Sequence, residues 1–316
     1  MTRPGVMLSI VTSMFRSEAY LQEFYDRCTA AARQLTDAYE FVFVNDGSPD
    51  QSLQVALRLR ERDPRVRIVD LSRNFGHHKA LMTGLGRARG ARVFLLDCDL
   101  EEDPAWLLTF DREMRSSGAD VIYGVQAERK GGWFERVTGD LFFKVFNRLL
   151  TDPIPPNVVT VRLMTARYVR ALVSHRDQEV CLAALWQVTG FDQRAFPVAK
   201  GSRGQTSYSI RRRISVLVNA LTSFSNRPLI YIFYLGSLVM LASLIAGVYL
   251  IYEALRGHFG VPGWASLMVS IWFLGGLMIF CVGVVGVYVA KVFTETKERP
   301  YTIVRHEYDN EAVEQP

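Results

Sequence analysis

Two carboxylates one residue apart close a short apolar run, Val93-Phe94-Leu95-Leu96-Asp97-Cys98-Asp99. In an open α/β sheet ligands bind at the carboxyl ends of the strands, so a strand that ends on paired acids presents them to the crevice. Alternate residues of an extended chain face the same way, which lets Asp97 and Asp99 approach one hard cation together. Mg²⁺ or Mn²⁺ held by one or two carboxylates keeps positions open for a substrate's phosphates. The plainer alternative is a strand followed by a polar turn, where Asp is common.

Other groups that can do chemistry follow similar runs. Phe41-Val42-Phe43-Val44 leads into Asn45-Asp46-Gly47-Ser48-Pro49-Asp50. At a strand's carboxyl end Asp46 can accept bonds from a nucleotide base or ribose; equally, Asp46-Gly47 is a turn and Asp50 caps the next helix. After Val66 to Leu71 comes Ser72-Arg73-Asn74-Phe75-Gly76-His77-His78-Lys79. Arg73 and Lys79 beside a helix N-terminus suit an anion, with solvated surface charge as the equal alternative. His77 and His78 have no metal-partner spacing and read as surface or loop residues. Glu101, Glu102 and Asp103 precede Pro104, which suits a helix start, and that alone accounts for Asp103.

The elements that must position these groups alternate. Strands are expected at Val6 to Ser13, Phe41 to Val44, Val66 to Leu71, Val93 to Leu96 and Asp120 to Gly124. Helices are expected at Glu18 to Leu35, Gln51 to Arg62 and Ala80 to Arg89. About five βα units argue for a mostly parallel sheet covered on both faces. No Gly-x-Gly-x-x-Gly follows the first strand and no Walker-type Gly-Lys-Ser/Thr occurs, which argues against dinucleotide-binding and P-loop chemistry.

The chain has 316 residues, a formal net charge of +5 and an apolar fraction of 49%. Charge is concentrated before Arg227, and the modest positive excess fits phosphates or an anionic membrane surface. No nucleic-acid partner is expected. Cys28, Cys98, Cys181 and Cys281 share neither pairing nor metal-ligand spacing and read as reduced thiols on the cytosolic side or in lipid. The N-terminus lacks the apolar run of a signal peptide.

Trp133 to Leu150 has helical spacing with an aromatic stripe, read as core before a lipid groove, and Asp152-Pro153-Ile154-Pro155-Pro156 breaks it. Ile210, Ile214, Leu217, Val218, Leu221 and Phe224 recur at helical spacing after a basic start, Arg211-Arg212-Arg213. Directly before a membrane span, such a helix belongs in the lipid interface rather than in a core. Leu229 to Tyr252 and Trp264 to Ala290 are uncharged and long enough to cross a bilayer core of about 30 Å. Basic residues flank the outer ends of the pair, which places the N-terminal domain and the tail in the cytoplasm. Gly275, Gly276, Gly283 and Gly286 permit close helix packing, within the chain or in a homo-oligomer. The absence of ionisable residues inside the spans argues against a transporter.

In this order, Phe43-Val44-Asn45-Asp46-Gly47-Ser48, Leu71-Ser72-Arg73-Asn74-Phe75-Gly76, Leu96-Asp97-Cys98-Asp99-Leu100, Arg203-Gly204-Gln205-Thr206-Ser207-Tyr208-Ser209 and the tail Tyr288 to Tyr301 resemble a family 2 glycosyltransferase of the GT-A fold. The similarity is to its polyprenyl-phosphate branch and spans nearly the whole chain. It implies a GT-A α/β domain over residues 1–208, an interfacial amphipathic helix over 209–227, a two-helix transmembrane hairpin over 228–290 and a cytoplasmic tail over 291–316.

The implied activity is inverting transfer of one sugar from a nucleotide-diphosphate sugar to a polyprenyl phosphate, undecaprenyl for a bacterial-looking chain, at the cytoplasmic face of the inner membrane. On this reading Asp97 and Asp99 hold Mg²⁺ or Mn²⁺ and are the catalytic pair. Asp46, Arg73, Lys79 and Asp97 bind the nucleotide sugar, and Arg162, Arg203 and Arg211 hold the acceptor phosphate. Departures from the branch's pattern are Asn45 for the commoner Asp, Ser13 and Arg16 in the first loop, and Ser207 where Lys is frequent. Residues 178–186 also lack the arginines common there, so the sugar does not transfer by resemblance. The alternatives are a transferase acting on another lipid or glycan, and a non-catalytic membrane scaffold that keeps the fold.

Overall fold

A computed structural model describes residues 5–126, 155–199, 227–256 and 263–309. These fall into two units: one built from residues before 208 and after 298, the other centred on 208–298.

The first unit is laid down by apolar runs. Strands β1 (Leu8–Met14), β2 (Tyr39–Asn45) and β3 (Val66–Leu71) are buried along their whole length, as parallel strands covered on both faces must be. With β4 (Arg92–Leu95) they form a parallel block in the order β4-β1-β2-β3. Helices α1 (Leu21–Ala32), α2 (Ser52–Arg62) and α4 (Trp106–Ser117) contribute Phe24, Ala56 and Phe110 to a core shared with Ile10, Phe41 and Phe43. Alternation sends Val11 and Val44 to the opposite face, where α3 (His77–Leu85) packs. A Cβ on Gly84 of α3 would lie 2.7 Å from Val11 Cγ1 and 2.8 Å from Val44 Cγ2, so only glycine allows this approach.

Beyond β4 the expected parallel succession stops. β5 (Val121–Gln126) is separated from β4 by β6 (Val158–Thr165), which runs antiparallel to both. Helices α5 (Ala166–Val173) and α6 (Leu182–Val188) and strand β7 (Gln193–Val198), parallel to β5, complete that side. Antiparallel β6 begins where β4 ends, which brings Thr160 to the acids after β4.

The far edge holds a larger departure. Residues 291–316, expected as a tail, include β8 (Val304–Tyr308), which pairs antiparallel with β3. A polar edge strand carries little apolar periodicity, and its partner lies far away in sequence.

In the second unit α7 (Arg227–Leu255) and α8 (Trp264–Glu295) are helices of 29 and 32 residues. At 1.5 Å per residue each is longer than about 40 Å. Among the described residues one segment, Ser270–Glu295, is long and apolar enough to cross a membrane, with mean hydropathy 2.3; Leu229–Ser243 is a shorter apolar stretch. Large side chains on α8 face outward, including Trp272 at 77% exposure and Ile279 at 75%. The helix expected at 133–150 and the amphipathic helix at 209–227, Arg227 aside, lie outside the described residues.

Candidate active site

The site lies at the carboxyl ends of β1, β2 and β4, where the strand order reverses around β1 and a crevice opens. Three loops meet there.

The first loop follows β4. Leu96 is buried, and Asp97 and Asp99 are partly exposed in the turn beyond it. Asp97 is held from three sides: Oδ2 accepts from Thr160 Oγ1 at 3.0 Å, Oδ1 lies 3.2 Å from His77 Nε2, and its amide donates to Glu102 Oε2 at 3.3 Å. Asp99 Oδ1 accepts from the Glu101 amide at 3.0 Å. Glu102 is fully buried, and its Oε1 accepts from the Thr160 amide at 2.9 Å, tying the turn to β6. Asp103, as expected of a helix-start residue, accepts from the Ala105 amide at 2.9 Å and pairs with Arg27 at 2.9 Å.

Cys98, between the two acids, points inward; its Sγ is 3.1 Å from both the Ser13 carbonyl oxygen and Ser17 Oγ. Burial pushes this thiol up to about 12, so it is an unreactive tie between β1 and the acid turn.

The second and third loops follow β2 and β3 and are packed backbone to backbone. Gly47 has φ +60°, and a Cβ there would lie 2.5 Å from Arg73 C and Asn74 N. Asp46 is 2% exposed, and its two oxygens accept from the amides of Phe75 at 2.7 Å and Gly76 at 3.0 Å. Burial raises its pKa in spite of those bonds and of the positive charge of Arg73. A buried carboxylate with an amide on each oxygen shapes the Ser72 to Gly76 loop. Asn45 donates to Asp70 Oδ1 at 2.7 Å and accepts from the Ser48 amide at 3.2 Å.

His77, read from sequence as a surface or loop residue, is exposed, with its side chain at 46%, and is the first residue of α3. Its Nδ1 is 2.9 Å from Ser13 Oγ while Nε2 faces Asp97. Burial pulls its pKa down, but the Asp97 hydrogen bond and the charges of Asp97, Glu102 and Asp46 outweigh that and the net shift is upward. The sequence signal was its place directly after Gly76, whose φ of +101° turns the chain into the helix.

Arg73 is exposed, with its guanidinium 4.1 Å from the Phe75 ring centroid. Lys79 lies on the first turn of α3, partly exposed. Asp46, Arg73, Lys79 and Asp97 thus belong to one group of loops. Arg162 lies on β6, two residues after Thr160. It is 1% exposed, stacked on the Trp186 indole, and it donates to the carbonyls of Thr160 at 3.2 Å and Val159 at 3.4 Å. Burial brings it down to about 9. Its place on β6, opposite Leu95, buries it, and there it supports Trp186 and the strand carrying Thr160. Arg203 and Arg211 lie outside the described residues.

Beside Asp97, a cavity of about 350 Å³ is lined by His78, Gln126, Thr160 and Trp186, with Val158, Val159 and Ala183. Among the described residues no group of three or more His, Cys, Asp or Glu side chains gathers to hold a metal. Asp97 and Asp99 offer hard oxygen donors, which fit a Mg²⁺ or Mn²⁺ ion that takes its other ligands from phosphates and water.

Residues 9–173 match the family described as Glycosyl transferase family 2. Over 304 residues the chain is 51% identical to a protein of Mycobacterium tuberculosis (strain CDC 1551 / Oshkosh) named among putative glycosyltransferases, covering 96% of this chain and 89% of that one. It is 30% identical to the bactoprenol glucosyl transferase of Shigella phage SfV, covering 95% of this chain and 98% of the relative. Among solved structures, a mannosyltransferase of Pyrobaculum calidifontis in complex with GDP-Man and Mn²⁺ has a similar fold: TM-score 0.50, 16% identity, 93% of this chain and 87% of that one.

Proposed function

The chain belongs to glycosyl transferase family 2, and within it we propose that this enzyme moves one sugar from a nucleotide-diphosphate sugar to a polyprenyl phosphate at the cytoplasmic face of the membrane. The observation that carries the reading is Asp97 and Asp99 at the strand-order reversal, with Asp97 held by Thr160 and His77 beside a cavity. Relatives named bactoprenol glucosyl transferase, similar over 95% of the chain, support the lipid acceptor.

Asp97 and Asp99 would hold the divalent ion, which supplies Lewis-acid stabilisation of the departing diphosphate. Asp46 orders the loop that carries Arg73, and Arg73 with Lys79 brings positive charge to the donor's phosphates. The cavity beside Thr160 takes the sugar ring against Trp186. The acceptor phosphate is largely dianionic near neutral pH, its second pKa being about 6. It attacks the anomeric carbon as the carbon–diphosphate bond breaks, inverting configuration, and needs no strong general base. Arg203 and Arg211 are proposed to hold it.

Two membrane crossings are part of this proposal. The chain leaves the sheet after β7 and re-enters it as β8, paired with β3. That return to the same sheet supports an even number of crossings, with α7 and α8 as the proposed pair. Arg227 before the pair and Lys291, Lys297 and Arg299 after it favour the cytoplasm for the sheet domain.

The test is incubation of the purified full chain with undecaprenyl phosphate, Mg²⁺ or Mn²⁺ and a panel of nucleotide sugars. Sugar-lipid formed from one donor, dependent on the metal and lost in Asp97→Asn, is the expected result. Product that survives in Asp97→Asn would remove Asp97 from the metal site.

A further inference from the structure

The sequence segment Arg299-Pro300-Tyr301, which resembles the branch's tail but has no place in the chemistry above, opens a strap across the catalytic unit. Gln178, just before α6, donates to the Arg299 carbonyl. Thr302 Oγ1 meets Thr83 Oγ1 of α3 at 2.8 Å. The Ser72 amide then donates to the Ile303 carbonyl at 2.9 Å, and Arg305 Nη2 donates to the Ser72 carbonyl at 2.6 Å. Both backbone groups of the first residue in the Ser72 to Gly76 loop are therefore taken by the strap. Arg305 Nη1 also lies 3.6 Å from Asp70 Oδ2, while Asp70 Oδ1 accepts from Asn45. One arginine thus touches the start of the β3 loop directly and, through Asp70, the Asn45 end of the loop that carries Gly47.

The far end is clamped as firmly. Asp309 Oδ2 sits 3.0 Å from Arg67 Nε and 2.6 Å from Arg89 Nη2, and the Asp309 carbonyl accepts from Arg60 at 3.1 Å. Arg87 pairs with Glu307 at 2.7 Å. The pairing of β8 with β3 is irregular between Asp70 and Leu71. Arg305 lies next to that irregularity and turns its guanidinium to the loop.

We propose that residues 299–309 are a positioning strap for the donor loops, with Arg305 as the residue that sets Ser72 and, through Asp70, Asn45. Its consequence for donor affinity rests on the transferase reading above; its consequence for loop order does not. Because 299–309 follows α8 directly, the loop that meets the donor is held by the segment emerging from the membrane helix.

The experiment compares Arg305→Ala, Arg305→Lys and Arg87→Ala in the full-length protein in detergent, by hydrogen exchange over residues 72–76 and by donor kinetics. Arg305 has a side chain 60% exposed, so its loss leaves the core intact. In Arg305→Ala exchange over the loop should quicken by about tenfold, the size expected for a lost charge-assisted hydrogen bond. Donor KM should rise by a similar factor with kcat retained, and Arg305→Lys should restore part of both. Arg87→Ala, which breaks an ion pair on β8 without touching Ser72 or Asp70, should leave the loop unchanged. Unchanged exchange in Arg305→Ala, or equal quickening in Arg87→Ala, would overturn the proposal. If no donor is used by the wild type but exchange responds as stated, the transferase reading fails and the strap stands.

Discussion

His77 Nε2 lies 3.2 Å from Asp97 Oδ1, and the same ring's Nδ1 lies 2.9 Å from Ser13 Oγ. The imidazole therefore spans the crevice from the end of β1 to the acid turn after β4. A neutral ring with its proton on Nε2 donates to Asp97 and accepts from the Ser13 hydroxyl. A charged ring donates to both. Either form fixes one oxygen of the carboxylate assigned to the metal.

The raised His77 pKa gives a pH signature for the metal-free protein. Its stabilising contribution is fully present below the unfolded value of about 6.5 and declines as pH rises through the higher folded value. With chelator present, the difference in Tm between wild type and His77→Ala should shrink as pH is raised from about 5.5 to about 8.5. A difference that stays constant across that range would mean that the pair contributes no charge interaction.

Glu102 is the group that holds the acid turn against β6, with one oxygen on the Thr160 amide and the other on the Asp97 amide. Glu102→Gln turns an NH₂ towards one of those N–H donors inside a dry site. The variant should lose about 1–3 kcal/mol of stability and, because Asp97 shifts, more activity than its Tm predicts. Thermal denaturation beside the transfer assay checks this, and full activity would show that the turn is positioned by other contacts.

Gly47→Ala tests the packing of the two donor loops. A positive φ and a Cβ 2.5 Å from the backbone of Arg73 and Asn74 leave no rotamer to relieve the clash. The expected cost is about 2 kcal/mol or more, accompanied by weaker binding of nucleoside diphosphate in a titration. Wild-type binding would mean that the Ser72 to Gly76 loop is not part of the donor site.

The parallel block was legible because a strand buried on both faces is a continuous apolar run, and runs such as Phe41 to Val44 read as strands without a partner in view. Thr160 and β8 were not legible for the converse reason. Thr160 matters through an antiparallel pairing set far along the chain, and Val304 to Tyr308 is a half-exposed polar edge. Asp46 shows a different limit. A carboxylate after a strand reads the same whether it binds a ligand or its own loop, and the bonds of Asp46 to the amides of Phe75 and Gly76 appear only once the loop is folded against it. The surroundings of Arg162 were hidden in the same way, since a lone arginine in a strand does not announce the Trp186 ring that covers it.

The most direct measurement of the central claim is release of nucleoside diphosphate from the sugar donor with polyprenyl phosphate, with the unphosphorylated polyprenol, and with no lipid. Transfer to a phosphate oxygen predicts rapid release and sugar-lipid formation with polyprenyl phosphate alone. Equal release with polyprenol or without lipid would contradict the assignment of a lipid phosphate as the attacking group.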